Sequence, residues 1–174
     1  NLSGIGSILS TRNWWDNSVE IAGLMNKLTE ELVDSKRLIE SDDERLQTLG
    51  ICLNLYRQYL YEENALDFSN IQYETYQLLT NHDNVLKNLR KKISYLMIDE
   101  YQDTNTIQEK IFLLISGERQ NICVVGDEDQ SLYRFRGATV RNILEFQRNF
   151  DPGKCKLVVL NENYRSHPKI IDFY

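Results

Sequence analysis

Long apolar runs are the first thing missing from this chain of 174 residues. No stretch reaches the roughly eighteen apolar residues of a membrane span, and the N-terminal segment lacks a basic start followed by an apolar stretch. No membrane partner is expected, and the predicted location is cytoplasmic or nucleoid-associated. Cysteine is scarce as well. Cys52, Cys123 and Cys155 are odd in number, far apart and without a CxxC or Cys/His pairing, which points to reduced packing residues rather than disulfides or zinc ligands. Positive charge is in deficit, with 20 Lys and Arg against 26 Asp and Glu and a formal charge of -6. That balance argues against a protein that simply coats nucleic acid with a basic surface, but not against one that grips it in a single groove. Pro152 and Pro168 are the only prolines, and no repeat or low-complexity segment is present. Residue 1 is Asn and the first methionine is Met25, which predicts an excised piece of a longer protein.

What is present has the balance of a soluble globular protein, 41% apolar and 26% charged, in a length that suits one domain or a body with an appended lobe. From Val19 to about Glu63 the apolar residues recur at helical spacing: Met25, Leu28, Leu32, then Leu46, Leu49, Leu53, Tyr56 and Leu60. Two or more amphipathic helices are expected, broken near Glu40–Asp43, where polar residues supply a turn and a helix start. Beyond Leu66 the pattern changes. Ile93–Ile98, Ile122–Val125 and Leu157–Leu160 are short bounded apolar runs, as expected of strands buried on both faces of a parallel sheet. Between them Thr104–Ser116, closed by Gly117, and Thr139–Phe150 carry apolar residues on one helical face. This order predicts an α/β sheet with flanking helices, preceded by an all-helical lobe.

The chemistry lies at the expected strand ends. The first strand runs into Asp99-Glu100-Tyr101-Gln102-Asp103, placing carboxylates where open α/β sheets bind ligands. One carboxylate there can hold Mg²⁺ and its neighbour can orient or deprotonate water. An Asp-Glu pair by itself is more often a solvated acidic turn. The second strand runs into Gly126-Asp127-Glu128-Asp129-Gln130, where Gly126 permits a tight turn and Gln130 offers an uncharged amide to a phosphate. Ser131–Ala138 interleaves Tyr133 and Phe135 with Arg134 and Arg136, a pattern suited to stacking on bases and meeting phosphates, and also to a partly buried loop. The third strand delivers Asn163-Tyr164-Arg165-Ser166, in which Arg165 has the fixed planar donors to neutralise a phosphoryl group.

Taken together, DEYQDTN (99 to 105), GDEDQSLYRFRGA (126 to 138) and NYRS (163 to 166) resemble superfamily-one DNA helicases of the UvrD/Rep/PcrA type in wording, order and spacing. Leu66–Ile71 also looks like the family's segment leading back into the first RecA-like domain. The resemblance covers about residues 56 to 174. It implies a partial RecA-like sheet over residues 67–174, with residues 1–66 as the helical lobe inserted in that motor domain. It further implies ATP and Mg²⁺ as cofactors, with single-stranded DNA and single/double-strand junctions as partners. Carried over position by position, Asp99 helps hold Mg²⁺ with Glu100 beside it, and Glu100 is the general base. Gln102 couples the nucleotide site to its surroundings, Gln130 senses the γ-phosphate, Arg165 stabilises it, and Tyr164 stacks on the adenine. Tyr133 and Phe135 stack on bases, and Arg136 links DNA to the ATP site. Phe135 stands where the family commonly has Trp, a smaller π face that still stacks.

A further departure is the absence of GxxxxGK[ST] from all 174 residues. The phosphate-cradling lysine and hydroxyl are therefore expected from the remainder of a longer parent, as is a second RecA-like domain, and this piece alone is expected to be inactive. The parent is expected to couple ATP hydrolysis to movement on DNA and duplex unwinding in repair, replication or recombination. Two other readings compete: the motor portion of a helicase-nuclease, and a truncated, non-catalytic binding module.

Overall fold

The computed structural model describes residues 14–130 and 140–173. Two compact units divide the chain, Asn1–Leu144 and Glu145–Tyr174.

In the first unit, several helix starts are set by side-chain caps. Helix α1 spans Trp14–Glu30, and the chain leaves it through Leu32 at φ 54°, so the apolar periodicity reaches past the helix into its closing turn. The short α2 (Ser35–Ile39) is capped by Asp34, whose carboxylate accepts from Lys36 N at 2.9 Å. Asp43 does the same for α3 (Glu44–Glu62), accepting from Arg45 N at 2.8 Å, so the polar break does start a helix. Asp67 caps α4 (Phe68–Asn81) through Asn70 N at 2.7 Å and also accepts from the Tyr56 hydroxyl at 2.5 Å, which fastens α3 to the start of α4. Helix α5 (Asp83–Lys92) opens on an acid and closes on Arg90, Lys91 and Lys92, matching the helix dipole at both ends. Val85, Leu86 and Leu89 recur within it at helical spacing, yet neither α4 nor α5 is among the helices expected from the sequence.

Strand β1 occupies Leu96–Ile98 and strand β2 Ile122–Val124, paired in parallel with Leu96 opposite Ile122 and Ile98 opposite Val124. Helix α6 (Thr106–Ser116) makes the crossover between them, opened by an Asn105/Gln108 capping box and closed by Gly117 at φ +53°. The Arg90 guanidinium seals that end, donating to Leu114 O at 2.9 and 2.6 Å. Leu79, Leu86, Ile107 and Ile111 form the core where α4, α5 and α6 meet, and α1 packs on α4 and α6. Helix α7 (Val140–Glu145) follows.

The α/β reading therefore holds in a coarser form: the described residues are mostly helical, with a small two-stranded parallel sheet. Two expectations need correction. Ile93 caps α5 rather than starting a strand. Leu157–Leu160 is not a strand: all four residues are 64 to 83% exposed and make no ladder bonds. An apolar run is read as a buried strand because both of its faces demand cover, but a strand exists only where a neighbour supplies backbone partners. In the second unit the order comes from local contacts: Phe146 meets Phe150 edge to face at 5.1 Å, and α8 (Pro168–Ile171) starts at Pro168 behind His167.

Candidate functional site

Backbone pairing continues past both strands. Val125 N donates to Ile98 O at 2.8 Å and Tyr101 N to Val125 O at 2.9 Å, so the chain ends after β1 and β2 leave the sheet side by side. At the first, Asp99 and Glu100 are exposed carboxylates, and Asp99 Oδ1 accepts from Glu100 N at 2.9 Å. Glu100 sits in the left-handed region, φ 51° and ψ 44°, an uncommon conformation for a side-chain-bearing residue that persists only where the surroundings enforce it.

Those surroundings are specific. Tyr101, with no exposure, anchors the following 3₁₀ turn from below, its hydroxyl 3.0 Å from Glu109 Oε1. Burial first, then the Glu109 carboxylate, pushes the Tyr101 phenol well above its ordinary range, so it stays protonated and available as a donor. Gln102, 1% exposed, joins the two strand ends: its Nε2 donates to Glu100 Oε2 at 2.7 Å while its Oε1 accepts from Asp127 N at 3.0 Å. Gly126 makes that passage possible. A Cβ there would lie 2.6 Å from Gln102 Oε1 and 2.7 Å from Ile143 Cδ1. Gly126 is not at positive φ, so its value lies in close approach rather than in the tight turn the sequence suggests.

At the second strand end Asp127 is the hub. Its carboxylate accepts from Asp129 N at 3.0 Å and from Gln130 Nε2 at 2.6 Å, and its carbonyl accepts from Gln130 N at 3.2 Å. Gln130 is exposed, and its Nε2 is held by Asp127 through one of its two N–H donors. Tyr133, Phe135 and Arg136 lie outside the described residues. Tyr164 and Arg165 belong to the second unit. There Asn163 Oδ1 accepts from Arg165 N at 2.9 Å and Ser166 N at 3.0 Å, forming a local turn that leaves the Arg165 side chain exposed. Tyr164 is 89% exposed and its hydroxyl donates to Glu162, a bond that pushes the phenol up.

Sequence reasoning missed the residues that hold the first turn. Thr104 Oγ1 donates to Tyr101 O at 2.7 Å, and Asn105 both caps α6 and reaches Gln72 Oε1 at 2.9 Å. The Asn-x-x-Gln spacing was a readable signal for the cap; the Gln72 contact, 33 residues away, was not. Among the described residues no three His, Cys, Asp or Glu side chains gather as a protein-only metal cage. The exposed Asp99 and Glu100 carboxylates instead fit an ion such as Mg²⁺, which keeps several waters and takes one or two carboxylates together with substrate phosphates.

Comparison with known proteins agrees with these strand-end motifs. The UvrD/REP helicase N-terminal domain family matches residues 8–151. ATP-dependent DNA helicase UvrD1 of Mycobacterium tuberculosis is 33% identical over 162 residues, covering 87% of this chain and 21% of that protein. ATP-dependent DNA helicase PcrA of Staphylococcus aureus is 34% identical over 153 residues, covering 86% and 20% respectively. A probable DNA helicase II homolog of Mycoplasma capricolum is 33% identical over 144 residues. The chain spans about a fifth of the length of these curated relatives. With the family match running through most of its length, the chain belongs to the UvrD/REP helicase family, as part of its N-terminal domain.

Proposed function

We propose that the protein carrying this chain is an ATP-dependent DNA helicase or translocase that converts ATP hydrolysis into movement along single-stranded DNA and duplex unwinding. The observation that carries this reading is the pairing of two parallel strand ends, one bearing Asp99-Glu100 and the other Asp127–Gln130, joined through the Gln102 amide. Ligands bind at such carboxyl ends in open α/β sheets, and the pair β1–α6–β2 is a piece of the RecA-like domain expected over residues 67–174. Residues 1–66 form the helical lobe inserted into that domain.

In this reading Asp99, with Glu100 beside it, holds the magnesium ion that neutralises phosphate charge. Glu100 Oε1 orients and deprotonates the attacking water while its Oε2 is fixed by Gln102. Gln130 senses the γ-phosphate, Arg165 stabilises it, and Tyr164 stacks on the adenine. Tyr133, Phe135 and Arg136 serve single-stranded DNA and single/double-strand junctions. The phosphate loop and a closing second domain come from chain outside these 174 residues, so this stretch alone is inactive.

The test is DNA-stimulated ATP hydrolysis by the complete protein. Glu100→Gln retains the size of the side chain and removes its basicity, so turnover should fall at least about a hundredfold while ATP binding is retained. Normal turnover by that variant would sink the assignment of the base.

A further inference from the structure

We propose that Asn142, on α7, is a positioning residue for ATP hydrolysis: it fixes the turn that presents Glu100 and Gln102, without touching nucleotide itself. This inference rests on the helicase reading above and extends its machinery to a helix outside the strand-end motifs.

Asn142 is 5% exposed, and its Nδ2 faces three oxygens: Asn105 O at 3.1 Å, Thr104 O at 3.3 Å and Thr104 Oγ1 at 3.4 Å. Such a cluster of acceptors accommodates the amide only with its nitrogen inward, so the residue acts here as a donor. Thr104 and Asn105 are themselves 7 and 6% exposed, so their carbonyls have little access to water as an alternative partner. From Thr104 the linkage runs back into the turn. Thr104 N and Oγ1 both donate to Tyr101 O, at 3.1 and 2.7 Å, and Asp103 N donates to Glu100 O at 2.9 Å. The residue at the far end, Glu100, is the one held at φ 51°. A left-handed glutamate relaxes unless its turn is tied at both ends. Gln102 ties the Glu100 carboxylate to the second strand end, and Asn142 ties the exit of the turn to α7.

The neighbouring side chain strengthens the case. Ile143 Cδ1 lies 2.7 Å from where a Cβ on Gly126 would stand, against the residue that opens the second strand end. Two consecutive residues of one short helix thus rest on both strand-end turns, one by hydrogen bonds and one by packing.

The experiment compares the complete wild-type protein with Asn142→Asp, which has the same shape but sets a carboxylate against the carbonyls. ATP hydrolysis is measured with saturating single-stranded DNA, together with thermal melting and the Kd for a single-stranded oligonucleotide. The expected result is a fall in kcat of about tenfold, with KM for ATP and the DNA Kd within about twofold and cooperative melting retained. If Asn142→Asp fails to fold, Asn142→Ala, which adds no charge, takes the same measurements and the same expected split. A kcat equal to wild type in a folded variant, or kcat, KM and Kd deteriorating together, overturns the positioning role and leaves the helicase reading intact. A wild-type protein without DNA-stimulated ATPase overturns both.

Discussion

Two turns carry the proposed phosphate chemistry, and they are held in opposite ways. The turn from Glu100 to Asn105 is built into the first unit: Tyr101 and Gln102 are almost wholly buried, and bonds reach it from Asp127, Gln72 and Asn142. The turn from Asn163 to Ser166 is organised by its own Asn163 side chain and leaves Tyr164 and Arg165 in solvent. Long-range anchoring suits a base, whose reach must be fixed to within fractions of an ångström. Local anchoring suits the proposed role of Arg165, which is to meet a ligand arriving from outside.

Paired glycine substitutions strain this comparison most. Gly126 fails to admit a Cβ for lack of space, since Gln102 and Ile143 both stand within 3.0 Å of it; Gly153, in the second unit, has nothing within 4 Å but sits at φ +83°. Gly126→Ala is expected to cost about 1 to 3 kcal/mol through overpacking, measured by urea unfolding, and to lower ATP turnover by displacing Gln102. Gly153→Ala is expected to cost about 1 kcal/mol from conformation alone, without a change in turnover. Equal effects on turnover would mean that the first turn is no more tightly coupled to its surroundings than the second.

The tyrosines give the next, smaller contrast. Tyr101→Phe removes a partly buried hydrogen bond to a carboxylate and is expected to cost about 1 to 2 kcal/mol of stability, read as a lower unfolding midpoint. Tyr164→Phe removes a bond between two exposed side chains and should leave the midpoint unchanged. If Tyr164→Phe nevertheless weakens nucleotide binding, its hydroxyl has a ligand role that the free structure does not display.

The same contrast decides what was legible in the sequence. Periodicity located α1, α3 and α6, and the short apolar runs at 93–98 and 122–125 contained the two strands, because each depends on residues close in sequence. The pattern at 157–160 had the same composition and misled, since whether such a run pairs is decided by a neighbouring strand. At the candidate site the residue types at 99, 100, 102, 127 and 130 were readable, and the Asn105 cap could have been. The left-handed Glu100 and the contacts of Gln72 and Asn142 were not, for they depend on chain segments 25 or more residues away. Gly126 illustrates the limit: its presence suggested a turn, and only the packing shows a need for space.

Glu30 provides the mildest test of how polar groups behind the first turn are held. It lies on α1, accepts from Ser69 Oγ at 2.7 Å, and its carboxyl is raised above the ordinary value, chiefly by burial, against the lowering effect of hydrogen bonds from Ser69 and Asn105. A carboxyl raised in the folded state binds its proton more tightly there than in the unfolded chain. Its contribution to stability is therefore fully present below the unfolded value and is lost as pH rises through the folded one. Glu30→Gln keeps an acceptor for Ser69 and removes the charge, so the variant should melt slightly higher than wild type near neutrality. As pH falls through the Glu30 titration the wild type acquires its proton, and the advantage should shrink. Melting curves of both proteins across the acidic range read that difference directly. An advantage that grows on acidification would show that Glu30 is stabilised as the anion, with hydrogen bonds from α4 and the α6 cap outweighing its burial.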